Sequence, residues 1–395
     1  PTQDLRGSFV EATPITEVNT FDRFWETVNQ LYVYRDKGSV SWDAIRTQYR
    51  SEGIVIVGTS GMQEMVEEII TFFPENTIAW QTREERIQRQ VEAQASASYQ
   101  GIGAYVTYRD TKQPHIVLIA VMNGSPAEAA GLQDHDSVYA VDGSPVTVEE
   151  GIGIIDRVRG PAGTDVILVV KSPGDILERD VVVKRGNIDT SQPQKFKFRY
   201  IPDTEILYIY IPRAGYPSMA EDFFLELQNN ISGRTPKGII LDMRITSGSN
   251  ANWPLVGFLA AFTDGEVGQF YSLQGTEGLA VEGQDFNGSQ TLPLVVLVGP
   301  DTSGLPEIFA GSLQDNGRAD IIGLSTSGAI EIYNGYAMPD GAELSIATAS
   351  FVTTQGNDVG LNGVEPNFVV DSYWDSVSDA NDPVIDFAVE LIEGK

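Results

Sequence analysis

The sequence predicts an α+β multidomain chain with an N-terminal helical domain, a small β-rich middle domain and a C-terminal α/β core. Three observations carry this. Apolar residues recur at helical spacing between Phe21 and Ile70. From Tyr99, strand-like alternation punctuated by Gly turns replaces that spacing. From about Gln192, apolar strands alternate with amphipathic helices, which is the pattern of a layered α/β core.

At 395 residues the chain is too long for one ordinary core. Residues 1–18 are polar, contain Pro1 and Pro14, and read as an extended lead-in. Residues 19–97 form the helical domain: Phe24, Trp25, Val28, Leu31 and Tyr32 share one face, and Met62, Met65, Val66, Ile69 and Ile70 another. Tyr32, Tyr34 and Trp42 are expected in its core. Glu84–Glu92 reads as a further charged helix.

Residues 98–188 carry the middle domain. Its signals are the run His115–Ile119, a turn and short helix over Asn123–Leu132 ended by Gly131, and Val138–Val141 entering an Asp142-Gly143 turn. A helix is expected over Ile152–Val158, with strands at Val166–Lys171 and Asp180–Lys184.

Residues 189–395 form the core. Gly238–Asp242 and Leu294–Val298 are continuously apolar, as strands buried on both faces of a parallel sheet must be. Helices are expected over Met219–Asn229, Leu255–Phe262 and Glu307–Gln314. The Gly-rich, acidic stretch Thr263–Ser289 reads as an exposed loop or insertion.

The balance of 26 basic against 55 acidic residues gives a formal charge of −29. Such a chain repels phosphate backbones and anionic lipid, so neither nucleic acid nor a membrane surface is an expected partner. No apolar run is long enough to span a bilayer. The polar opening at Pro1 lacks the features of a leader, so a signal or anchoring segment is expected to have been removed or never present. There is no cysteine, which excludes disulfides, thiolate nucleophiles and Cys-based metal sites. With only His115 and His135 as imidazoles, no metal or other cofactor is expected. Asp371, Asp375, Asp379 and Asp382 lack the Gly and Glu of a calcium loop and read as a solvated acidic face. Gly151-Ile152-Gly153 is not framed as a dinucleotide fingerprint.

In the middle segment, Tyr99-Gln100-Gly101-Ile102-Gly103, Gly124-Ser125-Pro126-Ala127 through Leu132, and Val141-Asp142-Gly143 together resemble a PDZ domain of the C-terminal processing protease type. Such a fold holds a peptide's terminal carboxylate with backbone N–H groups of a Gly-containing loop and adds the peptide as a strand. The resemblance assigns the loop donors to Gly101, Ile102 and Gly103. His135 departs from it, standing where Gly is usual, and reads as a surface turn residue.

The flanks agree. Lys237–Arg244, Pro293–Val298, Glu307–Ala310, Leu313–Ala319, Ser345–Thr354 and Gly363–Pro366 resemble the S41-type, tail-specific proteases, whose core is ClpP/crotonase-like. The resemblance covers about residues 20 to 370. It implies an extracytoplasmic protein of the bacterial periplasm, cell envelope or medium.

Those proteases use a Ser–Lys dyad, with backbone N–H groups holding the oxyanion. The resemblance places the Ser three residues before Glu307, at Gly304. It places the Lys 22 residues after Glu307, at Ala329, and a supporting Gln at Tyr333. All three roles are vacant. Independently of alignment, no Lys or His lies between Gly238 and Gly394, and Arg244 and Arg318 are too basic to accept a proton. The loop Arg244-Ile245-Thr246-Ser247-Gly248-Ser249 keeps one glycine, Gly248, of the usual oxyanion sequence. Ser247, Ser249, Ser325 and Ser327 read as local loop hydroxyls.

The expected function is therefore non-catalytic: capture of C-terminal tails or extended segments of partner proteins, with the core as scaffold or accessory subunit. Two alternatives stand beside it. One is an active serine endopeptidase with a displaced nucleophile, Ser303. The other is a structural, self-associating envelope component, with homo- or hetero-oligomers in either case.

Overall fold

The computed structural model describes residues 14–53, 59–75, 77–87, 98–189, 194–248, 253–329, 332–378 and 380–394. These fall into two compact units. The first contains the N-terminal helices together with residues 269–279 and 329–352.

In the first unit, helices Pro14–Leu31, Trp42–Gly53 and Thr59–Ile70 bring their apolar faces together. The first begins inside the stretch expected to be extended, because a Pro in the first turn lacks only an N–H that would have no helical partner. Phe21, Phe24, Val28, Tyr32, Tyr34 and Trp42 are buried, as expected of a core. Trp25 and Trp42 each donate an indole N–H to the other's carbonyl oxygen, both at 3.2 Å. Of the expected helix Glu84–Glu92, residues 84–87 are helical and 88–92 lie outside the described residues.

Strand Ile78–Gln81 runs antiparallel to Glu343–Thr353, with Ile78 opposite Ile346, and Ile332–Ala337 pairs with the same long strand. The stretch expected to be a loop between Thr263 and Ser289 is instead largely a hairpin of this sheet, Gly265–Ser272 and Gly275–Val281. Two of its glycines, Gly268 and Gly278, lie inside the strands, and Gly265 and Gly275 begin them. Phe270 packs against Phe351 at 5.1 Å between ring centres, which supplies the anchor that composition concealed.

The second unit contains the middle segment and the α/β layer. The middle segment builds an antiparallel sheet in the order Ala104–Arg109, His115–Val121, Ser137–Val141, Asp165–Lys171, Arg179–Lys184. Ala104–Arg109 is an edge of that sheet. Strand Ser98–Gly101 pairs separately with Gly186–Asp189. His115–Val121 is buried on both faces, which an antiparallel strand rarely needs. Its alternate residues serve two cores. Ile116 and Leu118 join Ile102, Ile154, Val158 and Val166, while Val117 and Ile119 join Ile206, Tyr208, Ile240 and Trp374 of the α/β layer.

The α/β sheet has the order Lys197–Tyr200, Ile206–Tyr210, Gly238–Asp242, Leu294–Val298, Asp320–Gly323, Phe368–Val369. Its first pair is antiparallel and the remaining pairs are parallel. Every residue of the three strands from Ile206 to Val298 is buried. Helices Met219–Ile231, Leu255–Phe262 and Leu305–Asp315 contribute Phe223, Phe258, Phe262 and Phe309 to one aromatic cluster. Helix Pro383–Glu393 contributes Val384, Ala388 and Ile392 to the other face. Among the described residues, no helix is long and apolar enough to cross a membrane.

Candidate functional site

Two parallel strands deliver the loops that matter. Gly238–Asp242 leads into Met243–Gly248, and Leu294–Val298 leads through Asp301, Thr302 and Ser303 into the helix starting at Leu305. Thr302 is fully buried and ties the loops together: its hydroxyl donates to the Met243 carbonyl at 2.8 Å and accepts from the Gly299 N–H at 3.0 Å. From there Ser247-Gly248 pairs in parallel register with Ser303-Gly304.

This pairing determines what position 304 can hold. Gly304 has φ 77° and ψ −138°, a conformation open essentially to glycine alone. A Cβ there would also overlap the Gly248 carbonyl oxygen. The Ser303 hydroxyl donates to that of Ser247 at 2.8 Å. Ser247 is thus a partner of the candidate nucleophile. Ser249 lies outside the described residues.

Glu307 occupies the third helical position and is fully buried. Its carboxylate accepts from the N–H of Gly304 at 2.9 Å and of Gly328 at 2.7 Å, and from the hydroxyls of Thr326 and Ser327. The negative end therefore sits at a helix N-terminus, where the backbone dipoles favour it. Ser327 is a cap for Glu307, and Ser325 donates to Glu365 at 2.9 Å.

Ala329 and Tyr333 belong to the first unit. Ala329 is exposed, and Tyr333 is 41% exposed on the strand paired opposite Ala347.

Arg244 is committed elsewhere. Its guanidinium bonds Asp242 at 2.7 and 3.0 Å and Asp382 at 2.6 and 3.2 Å. Burial opposes the charge on each partner, yet the pairing wins: Arg244 is held above the ordinary guanidinium value and Asp242 below the ordinary carboxyl value. Asp382 also caps helix Pro383–Glu393 by accepting from Val384 and Ile385 N–H. Asp382 and Asp375 are thus not part of a solvated acidic face, and Asp379 lies outside the described residues. No group of three or more His, Asp or Glu among the described residues is arranged to hold a metal ion.

Three groups near these loops escaped the sequence reading. Arg213 donates from one Nη to the carbonyls of Ile245 and Asp301, at 2.9 and 3.0 Å, clasping both loops. Burial lowers its pKa, but a guanidinium remains a donor and not a base. Arg109, at the end of the edge strand, pairs with Asp301 at 2.5 Å, and His115 bonds Asp375 at 3.0 Å. No spacing in the sequence links residues so far apart.

His135 corrects an expectation. It has the left-handed φ of 77° that its glycine-like place requires, but it is not a free surface residue. Its ring stacks on Trp374 at 4.1 Å and its Nδ1 bonds the Trp374 carbonyl at 2.7 Å.

At the start of the middle segment, Gly101 ends strand Ser98–Gly101, and Ile102 and Gly103 lead into the edge strand. Ile102 is buried, and its carbonyl accepts from Ala127 N–H at 2.8 Å, while that of Gly103 accepts from Met122 N–H at 3.0 Å. Gly103 has φ 82°, and a Cβ there would lie 2.5 Å from that of Ser125. Ser125 in turn caps the short helix Pro126–Ala129 through Glu128 N–H.

A mostly parallel sheet, whose strand-end loops meet the N-terminus of helix Leu305–Asp315, thus stands with a small antiparallel sheet in one unit. Residues 205–370 match the profile of Peptidase family S41. A carboxyl-terminal-processing protease of Synechocystis sp. is 27% identical over 94% of this chain and 85% of its own length. One of Picosynechococcus sp. is 28% identical over 88% and 81%. The photosystem II D1 C-terminal processing protease superposes with a TM-score of 0.63 at 21% identity, covering 93% of this chain and 99% of that one, and shows the fold.

Proposed function

We propose that this chain is a non-catalytic S41 homologue that captures C-terminal tails or extended segments of exported or envelope proteins. The middle segment acts as a PDZ domain, with Gly101, Ile102 and Gly103 as its carboxylate loop, and the core acts as scaffold. The observation that carries this reading is the closure of Gly304 on Gly248: the family's serine position holds a residue without a side chain, in a backbone state that admits none. Among the described residues the hydroxyl of Ser303, the fallback nucleophile, bonds that of Ser247, and the chain from Gly238 to Gly394 contains neither His nor Lys to activate it. Against this, the named relatives are proteases, which sets the test.

The ligand-binding half rests on the edge strand Ala104–Arg109. An edge offers unpaired backbone groups to an incoming strand. Its residues Ala104, Val106 and Tyr108 are half-buried against the core that includes Ile154 and Val158, which makes this edge apolar and suits it to an apolar tail.

The test mixes the purified chain and Ser303→Ala with an unstructured protein ending in an apolar tail, in free-carboxylate and amidated forms. The expected result is an intact substrate retained only in its free-carboxylate form. Cleavage by the wild type that Ser303→Ala abolishes would establish a displaced nucleophile instead. A defined oligomer without tail affinity would favour a structural role.

A further inference from the structure

Strand Ile332–Ala337 of the first unit pairs with Glu343–Thr353 on one side, and among the described residues no strand pairs with its other side. It is therefore a second edge, distinct from Ala104–Arg109. It carries no charged residue and no proline, two devices by which an edge is commonly guarded against an incoming strand. A register shift lies between Ile332 and Tyr333, and from Tyr333 to Ala337 the pairing is continuous. Tyr333, Asn334, Gly335 and Ala337 are exposed.

One side chain marks this edge. Tyr333, Gly335 and Ala337 share a face with Ala347, Ser345 and Glu343, which lie opposite them in register. On that face the Glu343 carboxylate lies across Gly335, where a Cβ would stand 3.0 Å from Glu343 Oε1. The absence of a side chain at 335 thus leaves the room that the carboxylate occupies. Glu343 is half-buried, and among the described residues no hydrogen bond or ion pair reaches its carboxylate. Gln81, opposite Glu343 on strand Ile78–Gln81, adds a second acceptor on the same face, since its Oε1 is buried and has no partner. Two neighbouring acceptors without a donor match the ammonium of a Lys or the guanidinium of an Arg.

We propose that this edge takes up an extended segment of a partner protein as an added strand, with a Lys or Arg opposite Gly335 reaching Glu343. A residue opposite Gly335 points to the Glu343 face, and the residues two positions to either side of it meet Tyr333 and Ala337. The recognised segment therefore has a basic residue with apolar residues two positions away. It needs no free carboxylate, so the edge acts independently of the loop at Gly101–Gly103. The net charge of −29 steers a basic partner toward the chain and opposes the approach of a second copy.

Fluorescence anisotropy on the full chain tests this with labelled, β-prone peptides blocked at both ends, so that no terminal carboxylate is offered. One peptide has a central Lys flanked by Val two positions away, and two others have Gln or Glu in place of the Lys. A fourth is the Lys peptide N-methylated at alternate residues. The wild type is expected to bind the Lys peptide about fivefold more tightly than the Gln peptide, the upper scale of a partly exposed ion pair, and not to bind the N-methylated one. Glu343→Gln is expected to weaken the Lys peptide about fivefold and to leave the Gln peptide unchanged. Glu343→Lys is expected to bind the Glu peptide more tightly than the wild type does, a gain that an unfolded variant could not show. Binding of the Lys peptide that survives N-methylation, or that Glu343→Gln leaves unchanged, would overturn the proposal. No binding at about 1 mM would overturn it as well and leave Glu343 as a guard of the edge. Self-association of the chain that no peptide displaces would assign the edge to a second copy instead.

Discussion

A Cβ on Gly304 would overlap the carbonyl oxygen of Gly248. The overlap follows from the parallel pairing of Ser247-Gly248 with Ser303-Gly304, so the loop carrying Gly248 lies where a side chain at position 304 would stand. Restoring the dyad by Gly304→Ser with Ala329→Lys is therefore expected to leave the chain inactive. The positive φ and the overlap together are expected to lower stability by about 1–3 kcal/mol, on the scale of backbone strain. Denaturant midpoints and a degradation time course check both points. Activity in the double variant would mean that the two loops separate in solution.

Glu307 holds the loops around position 304 from within. Truncation in Glu307→Ala removes the acceptor of two half-buried N–H groups, of the buried Thr326 hydroxyl and of the exposed Ser327 hydroxyl. An unsatisfied buried group costs about 1–3 kcal/mol and a partly exposed one less, so a loss of about 2–4 kcal/mol is expected on equilibrium unfolding. Glu307→Gln retains one acceptor oxygen and is expected to lose less than half as much. Equal losses for both would mean that the side chain's packing, and not its acceptors, stabilises the site.

The α/β layer was legible because its strands are uniformly apolar, as a doubly covered parallel sheet demands. The short helix at Pro126 and the helix from Glu307 were legible from their caps and turns. Gly265–Val281 was not, because a hairpin rich in Gly and acidic residues has the composition of a loop, and its anchor Phe270 finds Phe351 across a long sequence separation. The resemblance placed a serine position on Gly304, but the approach of Gly304 to Gly248 was not legible, since φ and strand pairing are tertiary outcomes that no local spacing encodes. Asp375 and Asp382 looked solvated because their partners, His115 and Arg244, lie far away in the chain.

Arg109 and Asp301 join the edge strand to the loop ahead of Ser303, with side chains only 13% and 9% exposed. At that burial a pair couples more strongly than the ~0–1 kcal/mol of surface ion pairs, and a double-mutant cycle of Arg109→Ala and Asp301→Ala is expected to give about 1–3 kcal/mol. Asp301→Ala alone is expected to be the costlier change if it leaves Arg109 a buried cation, although Asp375, 4.0 Å from Arg109 Nε, offsets part of that. A coupling below about 0.5 kcal/mol would show that the pair does not hold the two segments together.

Asp375 gives the pH dependence a definite sign. Burial alone would raise its pKa. The bond from His115, its own backbone N–H and the nearby Arg109 charge outweigh burial and hold it below the ordinary carboxyl value. A carboxyl depressed in the folded state contributes stability above its unfolded pKa of about 3.9, and loses it as pH falls through the folded value. An opposing effect acts over the same range, because protonating a chain of net charge −29 relieves its self-repulsion. The difference between wild type and Asp375→Asn cancels that common background. Measured by denaturant unfolding at several pH values, this difference is expected to shrink as pH falls below about 4. A difference that grows below about pH 4 would mean that Asp375 is carried protonated in the folded chain and that His115 does not hold it ionised.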